Sequence, residues 1–157
     1  MSAIAFRVIG EPKGQPRPRA FAMRAKGGAR PMIRVYDPGT AEGWKSCVAH
    51  AASGFVERGT CFAGPVAMYV CFIIARPKSH YRTGKNAHML RGSAPVYPTG
   101  KPDVDNYAKA VMDALTTLGL WRDDAQVCKL VAQKVYGAQP GAVVRIADAG
   151  ATMEGGT

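Results

Sequence analysis

Residues 101–109 read KPDVDNYAK, and this stretch predicts both a helix start and a cluster of carboxylates. The chain has 11 acidic residues, and five of them lie between Asp103 and Asp124, whereas residues 59–102 contain none. A chain of formal net charge +10 that gathers its carboxylates into one segment is expected to use them together. Because Mg²⁺ and Mn²⁺ prefer oxygen ligands, the segment suggests a site for a hard divalent cation.

The residues that follow have the spacing of an amphipathic helix. The preceding proline suits a helix start, and Asp103 or Asp105 can serve as the N-cap. Apolar residues recur along one face at helical spacing: Val104, Ala108, Val111, Met112 and Leu115. Asp105, Lys109 and Asp113 line a different, polar face, because residues four apart are neighbours on a helix. Gly119 is placed to end the helix.

A turn at residues 121–124 is expected to lead the chain from this helix into a strand. A helix–turn–strand unit of this kind can bring Asp124 back beside the helix start. Asp103, Asp105 and Asp124 would then be three convergent carboxylates with Lys109 one helical turn away. The sequence therefore makes these four residues the candidate catalytic and metal-binding set.

Simpler explanations exist for the same residues. An Asp at a helix start is usually an N-cap, and the polar face can be an ordinary ladder of surface charges. Other acidic signatures fit less well. An EF-hand loop that starts at Asp103 needs Gly at its sixth position and Glu at its twelfth, where this chain has Ala108 and Ala114. The Asp-x-Asp motif of aspartyl-phosphate phosphotransferases follows an apolar strand, whereas residues 97–102 have the composition of a loop.

Taken together, these residues resemble the signature of the RusA family of Holliday junction resolvases. The match is carried by KPDxDN at 101–106, Lys109, DAL at 113–115 and DDxQV at 123–127. A weaker match is the segment GQPRPR at 14–19, which is similar to the Pro- and Arg-rich N-terminal segment of many members.

The resemblance implies a cytoplasmic, homodimeric endonuclease of DNA recombination and repair. Such an enzyme depends on Mg²⁺, with Mn²⁺ as a possible substitute, and nicks two opposed strands of a four-way DNA junction symmetrically. The family's metal-binding carboxylates fall on Asp103, Asp105 and Asp124, and its essential lysine on Lys109. Residues 79–100 form an insertion relative to the shortest members.

Two other functions remain open at this stage. The chain can be a branched-DNA-binding protein without catalysis, although a pure binder would gain from losing its carboxylates. It can also be a metal nuclease for another branched DNA or for RNA.

The chain's charge points to a polyanionic partner, since the sequence pI is about 9.8. Pro16 and Pro18 keep residues 11–34 out of a helix, which favours an extended arm or irregular hairpin. This arm and the long loop at 76–101 supply the candidate DNA-binding cations Lys13, Arg17, Arg19, Arg24, Arg76, Lys78, Arg82, Lys85 and Lys101. The bland alternative is that both segments are surface loops with no partner. No apolar run is long enough to span a membrane.

At 157 residues, one α+β domain is expected over residues 1–147, with a mixed sheet, helices packed on it and a flexible tail at 148–157. Helices should end at Gly59, after an N-cap at Thr40, and at Gly119. The expected strands are 3–9, 33–36, 66–75, 126–136 and 142–146. The strand at 66–75 should be central and covered on both faces, and the last two strands should pair as a hairpin. The four cysteines lack zinc-site spacing, so free thiols are expected, three of them in the core.

Overall fold

The computed structural model describes residues 2–16 and 41–150 and the backbone of residues 19–23 and 32–36. Two helices and six strands occur within these ranges: β1 (Ala3–Ile9), β2 (Arg19–Met23), β3 (Met32–Tyr36), α1 (Glu42–Glu57), β4 (Val66–Ile74), α2 (Val104–Leu118), β5 (Val127–Tyr136) and β6 (Gly141–Asp148). The predicted DNA contacts Arg17 and Arg24 and the predicted N-cap Thr40 lie outside the described residues, as do residues 151–157 of the tail predicted at 148–157. Asp148, the first residue of that predicted tail, is instead the last residue of β6. Arg19 is described as backbone only.

The main sheet has four strands in the order β1-β6-β4-β5. β4 and β5 run parallel, while β6 is antiparallel to both β1 and β4, so the sheet is mixed. β2 and β3 form a separate antiparallel pair, which agrees with the hairpin rather than the extended arm, the two alternatives predicted for this segment. The predicted α+β fold with one mixed sheet is therefore confirmed.

The predicted pairing of the last two strands is wrong. β5 and β6 are close in sequence, but β4 lies between them and pairs with both. The connection from β5 to β6 crosses the end of β4, where Gly137 N donates to Ile74 O at 3.0 Å. Sequence proximity favours a hairpin, but the most apolar strand occupies the buried centre of the sheet and displaces that pairing.

The central position predicted for β4 is confirmed, but its two faces are not equally covered. Val66, Met68, Val70 and Phe72 are buried among helix residues, whereas Tyr69, Cys71 and Ile73 on the other face are only partly buried. Both helices contribute to the single core cluster on the first face. An apolar run alone predicted full burial, but in the part of the chain that the structure describes the second face is only half-covered.

The two helices pack on each other and on the sheet through their apolar faces. Trp44, Val48 and Ala52 of α1 are buried, and so are Ala108, Val111 and Leu115 of α2. The predicted apolar stripe of α2 is thus confirmed, with its two outer members Val104 and Met112 partly buried against the same core.

The ends of the helices largely follow their sequence signals. α2 ends at Gly119, which takes the left-handed conformation at φ +86°. The N-cap of α1 is Ala41, without a side-chain cap hydrogen bond, instead of the predicted Thr40.

The cysteines are free, as predicted, but their expected burial is wrong. Cys47, Cys61 and Cys128 are exposed and Cys71 is partly buried. Free cysteines usually behave as small hydrophobic residues and lie in cores. Here Cys47 lies on the outer face of its helix and Cys128 on an edge strand, so both are exposed. No helix among the described residues has the length and apolar character needed to cross a membrane.

Candidate active site

The site begins where α2 starts. Asp103 occupies the N-cap position, and its backbone oxygen accepts from Tyr107 N at 3.2 Å. The residue is exposed and its side chain makes no cap hydrogen bond, so Asp103 occupies the N-cap position without acting as a side-chain cap. Asp105 follows in the first turn and is also exposed. The start of α2 thus directs acidic residues to the surface, as the sequence predicted.

Lys109 joins α2 to the turn that follows it. Its Nζ lies 2.9 Å from Asp113 Oδ1, one helical turn along, and it also donates to Asp124 Oδ2 across the turn. About half of the Lys109 side chain is exposed (48%), while the Asp124 and Asp113 side chains are 31% and 28% exposed. The predicted return of Asp124 to the side of α2 therefore occurs, with Lys109 as the link.

These contacts shift two of the ionisation equilibria. The hydrogen bonds that Lys109 donates to Asp124 and Asp113 raise the pKa of Lys109 above its ordinary value. The hydrogen bond from Lys109 lowers the pKa of Asp124. Each shift favours the charged form, so the ammonium and the carboxylate are both ionised across the neutral range.

The turn that carries Asp124 is held by two side chains. Asp123 Oδ1 accepts from Ala125 N at 2.8 Å and caps the short 3₁₀ helix Asp124–Gln126. Gln126 Oε1 accepts from the backbone N–H groups of Arg122 and Asp123 at 2.8 and 3.2 Å. Asp123 therefore shapes the turn that carries Asp124.

Gln126 also ties this turn to the segment before β4. Its Nε2 donates to Phe62 O and to Gly64 O, both at 2.9 Å. Trp121 adds a second tie, since it is 1% exposed and bridges to Phe62. The position of Asp124 is consequently fixed by residues about sixty positions away in the sequence.

Lys134 braces the other side of the site. Its Nζ donates from β5 to Gly100 O at 2.6 Å and to Pro102 O at 3.0 Å. These carbonyls flank Lys101 immediately before Asp103. A strand lysine that reads as an ordinary surface residue therefore holds the loop that delivers the first carboxylate.

The N-terminal segment before β2 packs on the same place. Gln15 N donates to Asn106 O at 3.0 Å. A Cβ added at Gly14 would lie 2.8 Å from Pro102 Cβ and 3.3 Å from Asn106 Cβ, so only glycine permits this approach. The first two residues of the weakly matching segment, Gly14 and Gln15, thus pack against the start of the acidic block.

The predicted site residues are only partly assembled. Lys109, Asp113 and Asp124 are in contact, and Asp103 and Asp105 share the first turn of the same helix. Within residues 2–16 and 41–150, no three His, Cys, Asp or Glu side chains are grouped closely enough to hold a metal ion. The carboxylate donors suit Mg²⁺ by type, and their joint coordination of a metal stays a prediction.

The predicted DNA-binding cations have unequal surroundings. Lys78, Arg82, Lys85 and Lys101 are exposed on the loop between β4 and α2. Lys13 pairs with Glu11 at 3.2 Å. Arg76, the other described loop cation of the predicted DNA-binding set, is partly buried over the Tyr136 ring at 4.4 Å and donates to Pro95 O at 2.8 Å. A structural role for Arg76 was not predicted.

Sequence reasoning missed the supporting residues Gln15, Gln126 and Lys134. Gln126 lay within the matched DDxQV motif, so the motif already contained the signal for its importance. Gln15 lay within the weaker motif. Nothing in the sequence marked Lys134, because its two acceptors are more than thirty positions away.

The structure thus places acidic residues and a lysine together on α2 and the turn that follows it, within an α+β domain. The family model described as endodeoxyribonuclease RusA matches residues 10–147. The chain is also 36% identical over 151 residues to the uncharacterized protein YqaN of Bacillus subtilis strain 168, covering 96% of this chain and 100% of that protein. The chain belongs to the RusA endodeoxyribonuclease family, and membership implies endonuclease activity on Holliday junction DNA.

Proposed function

We propose that the protein is a Mg²⁺-dependent endodeoxyribonuclease that resolves Holliday junctions by paired, symmetric nicks in recombination and repair. The observation that carries the proposal is the contact of Lys109 with Asp124, because it joins the turn to the helix that bears Asp103 and Asp105. Membership of the RusA family supports the junction as substrate.

The residues that would hold Mg²⁺ are Asp103, Asp105 and Asp124. A divalent cation bound there would lower the pKa of a water molecule and neutralise charge on the scissile phosphate. The carboxylate chemistry fits, since hard cations prefer oxygen donors.

The chain's own groups supply the rest of the proposed mechanism. Lys109 holds Asp124 in place through its ammonium, and it presents a positive charge where negative charge develops on the phosphate or the leaving 3′-oxygen. Asp113 orients that ammonium from one helical turn away. Lys134 and Gln126 fix the two loops that carry Asp103 and Asp124.

Two further parts of the proposal concern the assembly. A four-way junction has two-fold pseudosymmetry, so two opposed nicks require two active sites, and a homodimer with C2 symmetry would supply them. Exposed cations on the loop between β4 and α2 would contact the phosphates, which neutralises charge and releases counterions.

The test is a cleavage assay on an end-labelled four-way junction beside a linear duplex of the same sequence, in Mg²⁺ and in EDTA. The wild-type protein should make paired symmetric nicks in the junction alone and only with metal. Asp103→Asn should abolish nicking and keep junction binding. Asp148→Asn is the matched control, because Asp148 lies at the end of β6 and accepts a hydrogen bond from Ser2 N that an amide oxygen can also accept.

Two results would count against the proposal. Full nicking by Asp103→Asn would remove that residue from the metal site. Tight junction binding without nicks in Mg²⁺ or Mn²⁺ would favour a branched-DNA-binding protein.

A further inference from the structure

A cavity of about 170 Å³ lies directly beside the start of α2. Lys101, two positions before Asp103, forms part of its wall, and so does Tyr107, whose backbone N–H donates to Asp103 O. The opposite wall includes Ala75, at the end of β4, and Tyr136, at the end of β5. The cavity is thus adjacent to the proposed cleavage site without containing any of its carboxylates.

The walls of the cavity are held in place by their own contacts. Tyr107 is 5% exposed and stacks on Phe72 with ring centroids 5.1 Å apart. The Tyr136 ring carries Arg76 on its face at 4.4 Å and meets His80 edge-on at 5.4 Å. Because both aromatic walls are fixed without a ligand, the cavity is preformed.

The chemistry of the walls favours a neutral, flat group. Two tyrosine rings and the buried Pro98 make the lining mainly apolar, and its charged members are Lys101 and Lys134. The Lys134 ammonium is already hydrogen-bonded to Gly100 O and Pro102 O, and no acidic side chain is among the lining residues. At about 30 Å³ per water molecule, the volume corresponds to about five or six waters, which is more than an isolated bridging water requires. Aromatic side chains bind nucleic acid by stacking on unpaired bases, which are flat and neutral.

Exposed apolar side chains also lie next to a cavity-lining residue in the sequence. Val96 and Tyr97 directly precede Pro98 and are 72% and 65% exposed. Such exposure of large apolar groups beside a charged site is expected where bases are contacted.

We infer that the cavity receives one unstacked nucleobase of the DNA strand whose phosphate lies at the Asp103–Lys109 site. The inference rests on the proposed function, since it supplies the base-reading part of the same substrate site. Removing a base from its stack costs free energy that depends on the base and its neighbours. The cavity would therefore make cleavage depend on the nucleotide next to the nick.

The experiment measures equilibrium binding in EDTA to a set of four-way junctions, each lacking one base near the crossover. Binding in EDTA is independent of cleavage. The wild-type protein should bind about tenfold more weakly when one particular base is absent, as expected for loss of one stacked base. Removing any other base should change the dissociation constant by less than twofold.

The variant Ala75→Leu tests whether the weaker binding to the junction with the missing base arises at the cavity. Ala75 is exposed and lines the cavity, so leucine at this position should narrow the cavity without disturbing the core. In this variant, the junction with the missing base and the complete junction should bind within twofold of each other. Ala87→Leu is the control, because Ala87 is an exposed alanine of the same loop that does not line the cavity, and it should keep the tenfold difference.

Two outcomes would overturn the inference. One is that the wild-type protein binds all junctions with a missing base with the same affinity. The other is a full tenfold penalty in Ala75→Leu. If thermal melting shows that Ala75→Leu does not fold, the smaller change Ala75→Val takes its place. Nicking of the complete junction in Mg²⁺ is measured in parallel, and its absence would refute the proposed function while the binding result still decides the cavity.

Discussion

Gln126→Glu is expected to destabilise the protein strongly, although the two side chains have nearly the same shape. Gln126 Oε1 accepts from Arg122 N and Asp123 N, and a carboxylate can keep these bonds. Its Nε2 donates to Phe62 O and Gly64 O, and a carboxylate oxygen there would face two carbonyl oxygens at about the present 2.9 Å. The change therefore removes two donors and adds repulsion at a partly buried place.

The magnitude follows from these two bonds. Each lost hydrogen bond is worth about 1 kcal/mol, and leaving its acceptor without a donor adds to the cost, so the free energy of unfolding should fall by about 2–4 kcal/mol at pH 7. For a chain of this size, that corresponds to a Tm lower by about 5–15 °C. Gln133→Glu is the control on the same strand, because Gln133 is exposed and its amide bonds only to the Tyr69 hydroxyl. It should cost less than about 1 kcal/mol.

The loss should depend on pH in a defined direction. The two facing carbonyls favour the protonated carboxyl, so its pKa in the folded state should lie above the value of about 4.3 for an unfolded chain. The destabilisation is then complete above the folded-state pKa and shrinks as the pH falls toward about 4.3.

Urea unfolding of Gln126→Glu, Gln133→Glu and the wild type at pH 7 and at pH 4.5 measures both effects. The reasoning is refuted if Gln126→Glu is no less stable than Gln133→Glu at pH 7. It is also refuted if the difference between them does not narrow at pH 4.5.

Three further changes test the supports of the site. Lys134→Met removes both hydrogen bonds from Lys134 Nζ to the loop before Asp103, so it should lower the free energy of unfolding by about 2–4 kcal/mol and reduce junction nicking. Lys129→Met, on the exposed part of the same strand, should do neither. Equal urea midpoints for the two variants would contradict this. Lys109→Met should return the pKa of Asp124, measured by carboxyl NMR in metal-free protein, toward its ordinary value of 3.8 from below; an unchanged pKa would show that Lys109 is not the cause. Gly14→Ala should weaken nicking more than it lowers Tm, because its Cβ would push the N-terminal segment away from the start of α2; unimpaired nicking would show that this packing is dispensable.

The start of α2 shows how far local sequence rules reach. Its bounds, its apolar stripe, its end at Gly119 and its polar ladder depend on neighbours within one or two turns, and each appears in the structure as predicted. β1 was equally well determined, because its alternation is a local property. The approach of Asp124 to Lys109 could be predicted for the same reason, since a single short turn separates the helix from the strand.

Local sequence rules could not predict the residues that support the site. Gln126 bonds to carbonyls 62 and 64 positions away, and Lys134 to carbonyls 34 and 32 positions away. These bonds depend on the position of β5 beside β4, which no local sequence signal indicates. A residue's own sequence neighbours carry no information about such a partner.

The sequence by itself determined the chemistry of this protein: a basic chain, an acidic block with a lysine, and the helix that presents them. The tertiary structure alone decided the strand order, the brace that fixes each carboxylate-bearing loop, and the aromatic cavity beside Asp103. The physical reason is that helix periodicity and capping act between near neighbours, whereas sheet order follows from which strand gains most by burial at the centre.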